Sequence, residues 1–277
     1  MEMVFCPLFS GSSGNALYVA TERTRLLVDA GLPGKTVIEA LAQIGVNPAS
    51  LSGILVTHEH TDHVKGAGIL SRKFDLPIYA TPGTWYAMER SVGPVKDRNR
   101  REFYPDTDFY VDDIGVTPFE IPHDAAEPVG YRLSHGAFSV ATATDMGILR
   151  KNVLNQLAGV DLLLLESNHD PEMLKQNPRY SQTLKKRILG NKGHLSNDAC
   201  AEGVLALADA GVRHVVLGHL SAENNLPELA YNTTCRALSG AGIVCGRDVT
   251  VDMAWRDRVG GVYIIRGGRM EKMKCCV

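Results

Sequence analysis

The chain has 277 residues, of which 44% are hydrophobic and 22% are charged, and its formal net charge is −2. This length predicts a single globular domain over residues 1–277, or at most two tightly merged halves, with enough chain for a sizeable core and two packed layers. A protein whose whole surface binds nucleic acid is usually distinctly basic, so this charge excludes a general attraction for polyanions.

The first part of the chain is predicted to alternate short strands with helices. Apolar, β-rich segments bounded by turn residues predict strands at 3–9, 15–20, 25–29, 54–57 and 78–81. Apolar residues at helical spacing predict helices at 36–44 and 64–74. The dipeptide Pro82-Gly83, which follows the fifth strand, predicts a turn.

The second part is predicted to begin with strands and then to interleave strands with longer helices. Strands are predicted within about 109–142 and at 161–165, 214–217, 249–252 and 262–265. Helices are predicted at 148–157, 181–189, 197–210 and 227–238, the third of them capped by Ser196. Because strand-rich and helix-bearing stretches occur once in each half, the pattern favours two sheets packed face to face with helices outside.

Three imidazoles and two carboxylates occur within six residues in the sequence H-E-H-T-D-H, directly after the predicted strand 54–57. Such groups cost free energy when they are withdrawn from water, unless they are paired or bound to metal. Neutral imidazole and carboxylate are ligands that Zn²⁺ and similar divalent ions prefer. Because alternate residues of an extended segment point the same way, we expect His58 and His60 to meet one ion and Asp62 and His63 a neighbouring one.

This sequence resembles the H-x-H-x-D-H signature of the metallo-β-lactamase superfamily. The resemblance implies an α/β (α+β) fold, the αββα sandwich, in which two mixed β-sheets are flanked by helices. It also implies a dinuclear hydrolase with a metal-bridging hydroxide and two divalent ions, for which Zn²⁺, Mn²⁺ and Fe are all candidates because each accepts His and Asp. The residues that match the family's ligands, in chain order, are His58, His60, Asp62, His63, His123, Asp145 and His219.

The resemblance further implies how these residues divide between the ions. His58, His60 and His123 would bind the first ion, Asp62, His63 and His219 the second, and Asp145 would bridge the two. Asp62 is counted both as a ligand and as a catalytic residue. Asp29 matches the family's early structural aspartate and is expected to hold the metal loop by hydrogen bonds. His135 and His214 are assigned to structure.

Four segments resemble the YycJ/WalJ branch of the superfamily, whose members are described as bacterial exonuclease-like hydrolases acting on DNA. They are L-F-S-G-S-S-G-N-A near the start, L-S-R-K-F-D-L-P-I-Y-A-T at 70–81, L-L-L-E-S-N-H-D at 163–170 and K-G-H-L-S-N at 192–197. The last two also resemble segments of tRNase Z. Too few residues separate Asp145 from His219 for the domain that β-CASP nucleases insert there.

A phosphodiesterase needs an acid beside the leaving group, because an alkoxide departs poorly unless it is protonated. His194 matches the histidine of the G-H-x-S/T segment and is the candidate acid, and Glu166 could hold its imidazolium and raise its pKa. Gly193 is expected to let the chain approach a phosphate closely. Ser12, Asn168 and His194 are the candidate substrate-binding residues.

The leading hypothesis is therefore a metal-dependent phosphodiesterase that acts as a DNA exonuclease. The alternatives are a small-molecule hydrolase acting on a cyclic phosphate, thioester or lactam, and a non-catalytic metal-binding regulator, against which the intact ligand set argues. Because the net charge is close to zero, DNA binding would require a local run of basic residues. The sequence offers two such runs, and the alternative is that each is simply a solvated face. The candidates are Lys96, Arg98, Arg100 and Arg101 in one run and Lys185, Lys186, Arg187 and Lys192 in the other.

The sequence shows no mark of export, of a membrane span or of a cysteine-based scaffold. Its first residues lack a basic start followed by a long apolar run, and no stretch reaches the roughly 18 apolar residues of a membrane span. The six cysteines form no C-x-x-C pair. We therefore expect a cytoplasmic protein with free thiols, no membrane association and no obligate protein partner.

Overall fold

The computed structural model describes residues 1–273, which form two compact units. Unit 1 comprises Met1–Glu120, Ala125–Phe138 and the described residues from Ala254 onward, and unit 2 comprises Ile121–Asp124 and Ser139–Met253. None of the helices described is both long enough and apolar enough to cross a membrane.

The strands fall where apolar, β-rich segments predict them, with a few additions. They are β1 (Glu2–Phe9), β2 (Ala16–Ala20), β3 (Arg25–Val28), β4 (Gly53–Leu55), β5 (Ile78–Ala80), β6 (Arg100–Glu102), β7 (Phe109–Val111), β8 (Ile114–Glu120), β9 (Val129–His135), β10 (Phe138–Ala143), β11 (Leu162–Glu166), β12 (His214–Gly218), β13 (Thr250–Met253), β14 (Val262–Arg266) and β15 (Arg269–Met273). The additions are β6 and β15, two short polar strands for which the sequence offers no apolar alternation.

The helices follow the predicted positions, again with exceptions. They are α1 (Gly34–Gln43), α2 (Thr61–Val64), α3 (Ala67–Phe74), α4 (Pro82–Val92), α5 (Lys151–Leu157), α6 (Pro171–Gln176), α7 (Gln182–Ile188), α8 (Asn197–Asp209) and α9 (Pro227–Gly240). The predicted cap of α8 is confirmed, since Ser196 Oγ accepts a hydrogen bond from the Ala199 amide at 3.1 Å.

One turn prediction is wrong, and one helix prediction is wrong in detail. Pro82 and Gly83 begin α4 and do not form a turn, because proline fits the first position of a helix that Thr81 caps by accepting from the Thr84 amide. The predicted helix 64–74 is divided into α2 and α3 around Gly66. A Cβ at Gly66 would lie 2.4 Å from the Leu32 carbonyl oxygen, so any residue with a side chain would clash at this position.

Unit 1 contains an eight-stranded mixed sheet in the order β15-β14-β1-β2-β3-β4-β5-β6. Its strands are antiparallel from β15 to β3 and parallel from β3 to β6, with Leu27 opposite Ile54 and Ile54 opposite Ile78. These three side chains are fully buried and pack in one core cluster with Leu41 of α1 and Trp85 of α4. Strands β7, β8 and β9 of the same unit pair antiparallel.

Unit 2 contains parallel strands in the order β13-β12-β11-β10. Strand β11 reads L-L-L-L-E and is buried at every residue, which is typical of a parallel strand covered on both faces. Helices connect the strands, as parallel pairing requires. Because the carboxyl ends of neighbouring parallel strands share one edge, the residues that follow β10, β11 and β12 lie close together.

The free-thiol prediction is wrong for one pair of cysteines. Cys235 of α9 and Cys245 form a disulfide, with their Cα atoms 5.6 Å apart, because the chain after α9 folds back on the helix. Cys6 and Cys200 are free and buried. Cys275 and Cys276 lie outside the described residues.

Candidate metal centre

The histidine loop, residues 58–63, belongs to unit 1 and follows β4. Val56 and Thr57 lead out of the strand, and α2 begins at Thr61, so the chain turns sharply within the loop. His58 and His63 are fully buried, whereas His60 and Asp62 are half-buried. The loop therefore places two imidazoles inside the unit and leaves the other two groups near its surface.

Asp29 holds this loop from the end of β3. Its carboxylate accepts hydrogen bonds from the Thr57 amide at 2.9 Å and the Thr57 hydroxyl at 2.9 Å, and it lies 2.8 Å from His63 Nδ1. Asp29 is 3% exposed, and its backbone is left-handed, with φ of 61°. The contact with Nδ1 leaves Nε2 of His63 as the nitrogen that can bind a metal.

Asn15 is a residue of this site that the sequence reasoning missed. Its Nδ2 lies 3.1 Å from His63 Nε2, and its backbone amide donates to the Asp62 carbonyl at 2.8 Å. A Cβ at Gly31 would lie 1.6 Å from that same carbonyl oxygen, so the segment around Asn15 and Gly31 packs directly against the loop. The segment S-G-S-S-G-N-A carries the sequence signal for this contact, but the residue that the sequence favours there is Ser12, which is exposed.

The spacing of the loop's ligand atoms suits divalent metal. His58 Nε2 lies 3.1 Å from His60 Nδ1, and His63 Nε2 lies 3.7 Å from Asp62 Oδ2. Ligands that bind one ion at about 2.0–2.2 Å are separated by distances of this size. Each pair can therefore contribute two ligands to an ion with small changes of side-chain position.

Three residues of unit 2 extend from the carboxyl ends of adjacent parallel strands. Glu166 ends β11, and Asp145 and His219 follow β10 and β12. Asp145 and His219 have left-handed backbones, with φ of 61° and 54°, a conformation that is uncommon for residues other than glycine. All three residues are buried, and His219 Nδ1 lies 3.2 Å from Asp145 Oδ2.

Glu166 and His194 form a close pair beside these residues. His194 Nδ1 lies 2.7 Å from Glu166 Oε1, and 20% of the His194 side chain is exposed. The other oxygen, Glu166 Oε2, accepts from the Met146 amide at 2.9 Å and the Leu195 amide at 3.2 Å. Two backbone amides therefore hold one carboxylate oxygen of Glu166 in place, and the other oxygen faces the imidazole.

The ligand atoms of unit 2 are also placed to hold a cation. Asp145, Glu166, His194 and His219 each offer one atom, and these atoms lie within 4.8 Å of one another. His123 belongs to the same unit, with Nε2 at 4.0 Å from Asp145 Oδ1 and 3.5 Å from Asp124 Oδ1. Buried imidazole and carboxylate groups at this spacing fit a divalent metal.

The two buried histidines differ in how readily they take a proton. Burial lowers the pKa of His123 despite the neighbouring charge of Asp145. Burial alone would also lower the pKa of His219, but the charge and hydrogen bond of Asp145 outweigh it and raise that pKa above its usual value. The charge of Asp145 therefore outweighs burial at His219 but not at His123.

A network of buried asparagines connects the loops around Glu166, His194 and His219. Asn197 and Asn225 exchange side-chain hydrogen bonds of 2.9 Å in both directions, and Asn225 also donates to the Ser167 carbonyl at 2.8 Å. Asn168 is 5% exposed and donates to the His219 carbonyl at 2.9 Å. Asn168 and Ser12 stay predictions as substrate-binding residues.

The glycine before His194 has a packing role. A Cβ at Gly193 would lie 2.1 Å from the Ile188 carbonyl oxygen and 2.3 Å from that of Arg187. Glycine is thus required because the backbone passes close to the end of α7. This packing explains the glycine without any contact to a phosphate.

Most cations of the two basic runs already have partners within the protein. Lys96 Nζ and Arg98 Nη2 lie 3.1 Å and 2.6 Å from the Asp75 carboxylate, whose pKa they hold far below its usual value together with Asn99. Arg100 packs over the Trp85 ring at 4.7 Å.

In the second run, Lys185 is buried and donates to the Lys175 carbonyl at 2.6 Å. Arg187 binds Asp124 through two nitrogens. Lys186 and Lys192 are exposed. These contacts reduce the charge that either run can offer to a polyanion.

Comparison with known proteins places this geometry in a family. The model of the β-lactamase superfamily domain matches residues 24–220. The exodeoxyribonuclease YycJ of Bacillus anthracis is 41% identical over 249 residues, which cover 89% of this chain and 93% of YycJ. The exodeoxyribonuclease WalJ of Streptococcus pneumoniae is 40% identical over 246 residues, covering 88% of this chain and 91% of WalJ.

A solved structure shows the same fold at low identity. The crystal structure of Zn²⁺-bound PqqB from Methylobacterium extorquens has a TM-score of 0.70 and 18% identity, and the match covers 94% of this chain and 99% of PqqB. The predicted fold class is confirmed, since the described strands form two mixed sheets flanked by helices. The chain belongs to the metallo-β-lactamase superfamily of metal-dependent hydrolases, in the branch that contains YycJ and WalJ.

Proposed function

We propose that the chain is a metal-dependent phosphodiesterase that acts as an exonuclease on DNA. The observation that carries this proposal is the Glu166–His194 pair, in which the imidazole is fixed at 2.7 Å and remains partly exposed beside Asp145 and His219. Such a pair suits a reaction whose leaving group needs a proton. The names of YycJ and WalJ, both called exodeoxyribonucleases, support DNA as the substrate.

The proposed metal set contains two divalent ions, with Zn²⁺, Mn²⁺ and Fe as candidates. Seven residues exceed what one ion uses, and we propose that the ligands are His58, His60, Asp62, His63, His123, Asp145 and His219. When bound, the ions activate water and neutralise the charge of the phosphodiester. Asp29 and Asn15 would keep His63 and Asp62 in place, because they contact that segment in unit 1.

His194 is the proposed general acid. Glu166 occupies its Nδ1, so the proton for the leaving oxygen would come from Nε2. The carboxylate favours the protonated ring, and the amides of Met146 and Leu195 prevent Glu166 from turning away. A separate acid is needed because the nitrogens of the metal-binding histidines are committed to the ions.

The substrate is tested by incubating metal-reconstituted protein with end-labelled DNA, end-labelled RNA and a panel of small esters. We expect DNA to be shortened from its ends. Cleavage of a cyclic phosphate, thioester or lactam, with no nucleic acid cut under Zn²⁺, Mn²⁺ or Fe, would replace the proposal with the small-molecule alternative. Tight metal binding without any hydrolysis would indicate the regulator.

The number of ions is tested by metal analysis of the fully loaded protein. Two equivalents per chain are expected. The variant Asp62→Ala should retain about one equivalent, because the first ion would keep His58, His60 and His123. A single equivalent in the unaltered protein would contradict the two-ion set.

The acid is tested with two leaving groups. We expect His194→Ala to keep both metals and substrate binding, and to lose about 10²–10⁴-fold in kcat on DNA. Activity on bis-p-nitrophenyl phosphate should survive far better, since p-nitrophenolate departs without a proton. Glu166→Gln should show the same selectivity in weaker form. Equal losses on both substrates would mean that His194 binds phosphate or supports structure.

A further inference from the structure

Four residues at the carboxyl edge of the parallel strands in unit 2 could bind a metal ion without a ligand from any other residue. Asp145, Glu166, His194 and His219 offer ligand atoms within 4.8 Å of one another, and both carboxylates are almost completely buried. Two of these residues, Glu166 and His194, lie outside the seven proposed ligands of the catalytic ions. The set therefore describes a second way for unit 2 to hold a cation.

We propose that Asp145, Glu166, His194 and His219 form an inhibitory zinc site, which an ion occupies in place of the catalytic position that uses Asp145 and His219. Four ligands at about 2.0–2.2 Å from one tetrahedral ion stand about 3.3–3.5 Å apart. The observed separations of 3.2 Å for His219 Nδ1 to Asp145 Oδ2 and 3.8 Å for His194 Nδ1 to Asp145 Oδ1 are already close to this value.

The shortest separation in the set is the one that binding would change most. His194 Nδ1 and Glu166 Oε1 are 2.7 Å apart, a hydrogen-bond distance that requires a proton on one of the two atoms. An ion would replace that proton, which leaves to solvent, and the two atoms would separate by about 0.6–0.8 Å to reach the tetrahedral edge. A change of this size requires side-chain rotation only.

The chemistry of the set favours zinc over harder ions. Two imidazole nitrogens and two carboxylate oxygens are a typical four-ligand environment for Zn²⁺, whereas Mg²⁺ prefers oxygen ligands and retains several waters. The two negative charges balance the charge of the ion, which matters because Glu166 and Asp145 are 0% and 2% exposed. Excess zinc should therefore occupy this position, and excess Mg²⁺ should not.

Occupation of the site would switch off the proposed acid. A ring whose Nδ1 is bound to zinc cannot also be an imidazolium, so Nε2 no longer carries a readily released proton. This consequence rests on the proposed function of His194, whereas the metal site does not. The expected behaviour is that DNA cleavage falls as free zinc rises, and that removal of the excess by a weak chelator restores it.

The site is tested first by zinc binding without substrate. The variant His58→Ala/Asp62→Ala removes a ligand from each proposed catalytic ion in the histidine loop and leaves the four residues intact. In competition with a chromogenic chelator, it should still bind one equivalent of zinc. Adding His194→Gln or Glu166→Gln should weaken that binding by about 10–100-fold. Adding His135→Gln, a histidine outside the set, should leave it unchanged.

Zinc affinity that is unaffected by both His194→Gln and Glu166→Gln would overturn the proposal. A second measurement uses the unaltered chain, so the result does not depend on the folding of the variants. Nitrogen NMR of the His194 ring, assigned by the loss of its signal in His194→Gln, should show Nδ1 passing from a protonated to a metal-bound nitrogen as zinc is added in excess. A resonance that stays protonated would equally overturn the site. Both readouts are independent of the substrate, so they stand whether or not DNA is cleaved.

Discussion

Asp29 supports the histidine loop through three contacts at once. Removal of its carboxylate in Asp29→Ala would leave the Thr57 amide, the Thr57 hydroxyl and His63 Nδ1 without their acceptor. A buried donor without a partner costs about 1–3 kcal/mol. We expect the free energy of unfolding to fall by roughly 3 kcal/mol and zinc affinity to fall about 10–100-fold, as measured by urea denaturation and chelator competition.

Asp106 provides a matched control for this prediction. It is also an aspartate with a left-handed backbone, at φ of 59°, but its side chain is exposed. Asp106→Ala carries the same backbone cost without losing buried contacts, so it should change neither stability nor zinc affinity by a comparable amount. Equal effects of the two substitutions would show that backbone conformation, and not the carboxylate contacts, explains the loss at Asp29.

His169 is a buried titratable residue that the proposed mechanism does not use. Neither ring nitrogen has a hydrogen-bond partner among the described residues, and burial lowers its pKa from 6.5 to about 4. Because the folded protein binds this proton less readily than the unfolded chain, the stabilising contribution is complete above pH 6.5 and declines as the pH falls towards 4.

The pH dependence can be isolated with His169→Gln, which removes the titration from a buried position. Between pH 7.5 and pH 5 the unaltered protein should lose about 2 kcal/mol more unfolding free energy than the variant. Urea denaturation of metal-free protein at the two pH values provides the comparison, and the other histidines contribute equally to both proteins. Parallel losses would mean that His169 is hydrated or bonded in the folded state.

At the scale of elements, α7 shows why a basic run in the sequence is not a basic surface. Successive residues of a helix point about 100° apart. Lys185 is therefore buried against the Lys175 carbonyl, Arg187 turns to Asp124, and Lys186 alone of the three is exposed without a contact of this kind among the described residues. A reversal of all three charges would confound folding with DNA binding.

The single substitutions separate these effects. Lys185→Glu should lower the melting temperature, because an unpaired carboxylate would replace a hydrogen-bonded ammonium in a buried position. Lys186→Glu should leave stability unchanged and, if α7 contacts DNA, should reduce the salt dependence of DNA binding by about one unit of logarithmic slope. The measurements are thermal unfolding and DNA binding at several salt concentrations. An unchanged slope would assign Lys186 to a solvated face.

Whether a strand or helix could be predicted depends on whether its own residues carry the signal that forms it. Strands such as β11 were predictable because continuous apolar residues mark burial in the sequence itself. Strands β6 and β15 were not, because three exposed residues in R-R-E and a polar R-M-E-K-M segment carry no alternation. Helix α4 was missed because a proline that begins a helix and one that begins a turn look alike until Thr81 is seen to cap it.

The same distinction applies to the candidate site. The histidine loop and Asp145 could be found because the family pattern fixes their residue types and order. The contact between Asn15 and His63 joins residues 48 positions apart, and the sequence offers no spacing from which it could be inferred. Likewise, Glu166 and His194 could be paired only as a hypothesis until their separation of 2.7 Å was known.

At the scale of the whole molecule, neither compact unit is a continuous piece of chain. The chain passes from one unit to the other after Glu120, Asp124, Phe138 and Met253. Neither unit can therefore complete its fold without segments that flank the other in sequence. For this reason we propose that residues 1–277 fold as a single domain, as the length of the chain predicts.

Calorimetry tests this proposal directly. A single cooperative domain should unfold in one transition, with the calorimetric enthalpy equal to the van't Hoff enthalpy. The scan should be made on metal-free and on zinc-loaded protein, because metal that binds only the folded state raises the melting temperature without adding a transition. Two separable transitions in the metal-free protein would show that the units are independent domains.

Evolutionary drift would act in a recognisable way on the left-handed backbones of Asp29, Asp145 and His219. Each of these residues costs about 1–2 kcal/mol relative to glycine, which adopts that conformation freely. Selection for catalysis opposes the replacement of these residues by glycine. In a lineage that abandoned the reaction, replacement by glycine would stabilise the protein at Asp145 and His219, whereas at Asp29 it would remove the carboxylate contacts that hold the histidine loop. A homologue that has lost its activity should therefore be recognisable by glycines in place of Asp145 and His219, and should be more heat-stable than its active ancestors.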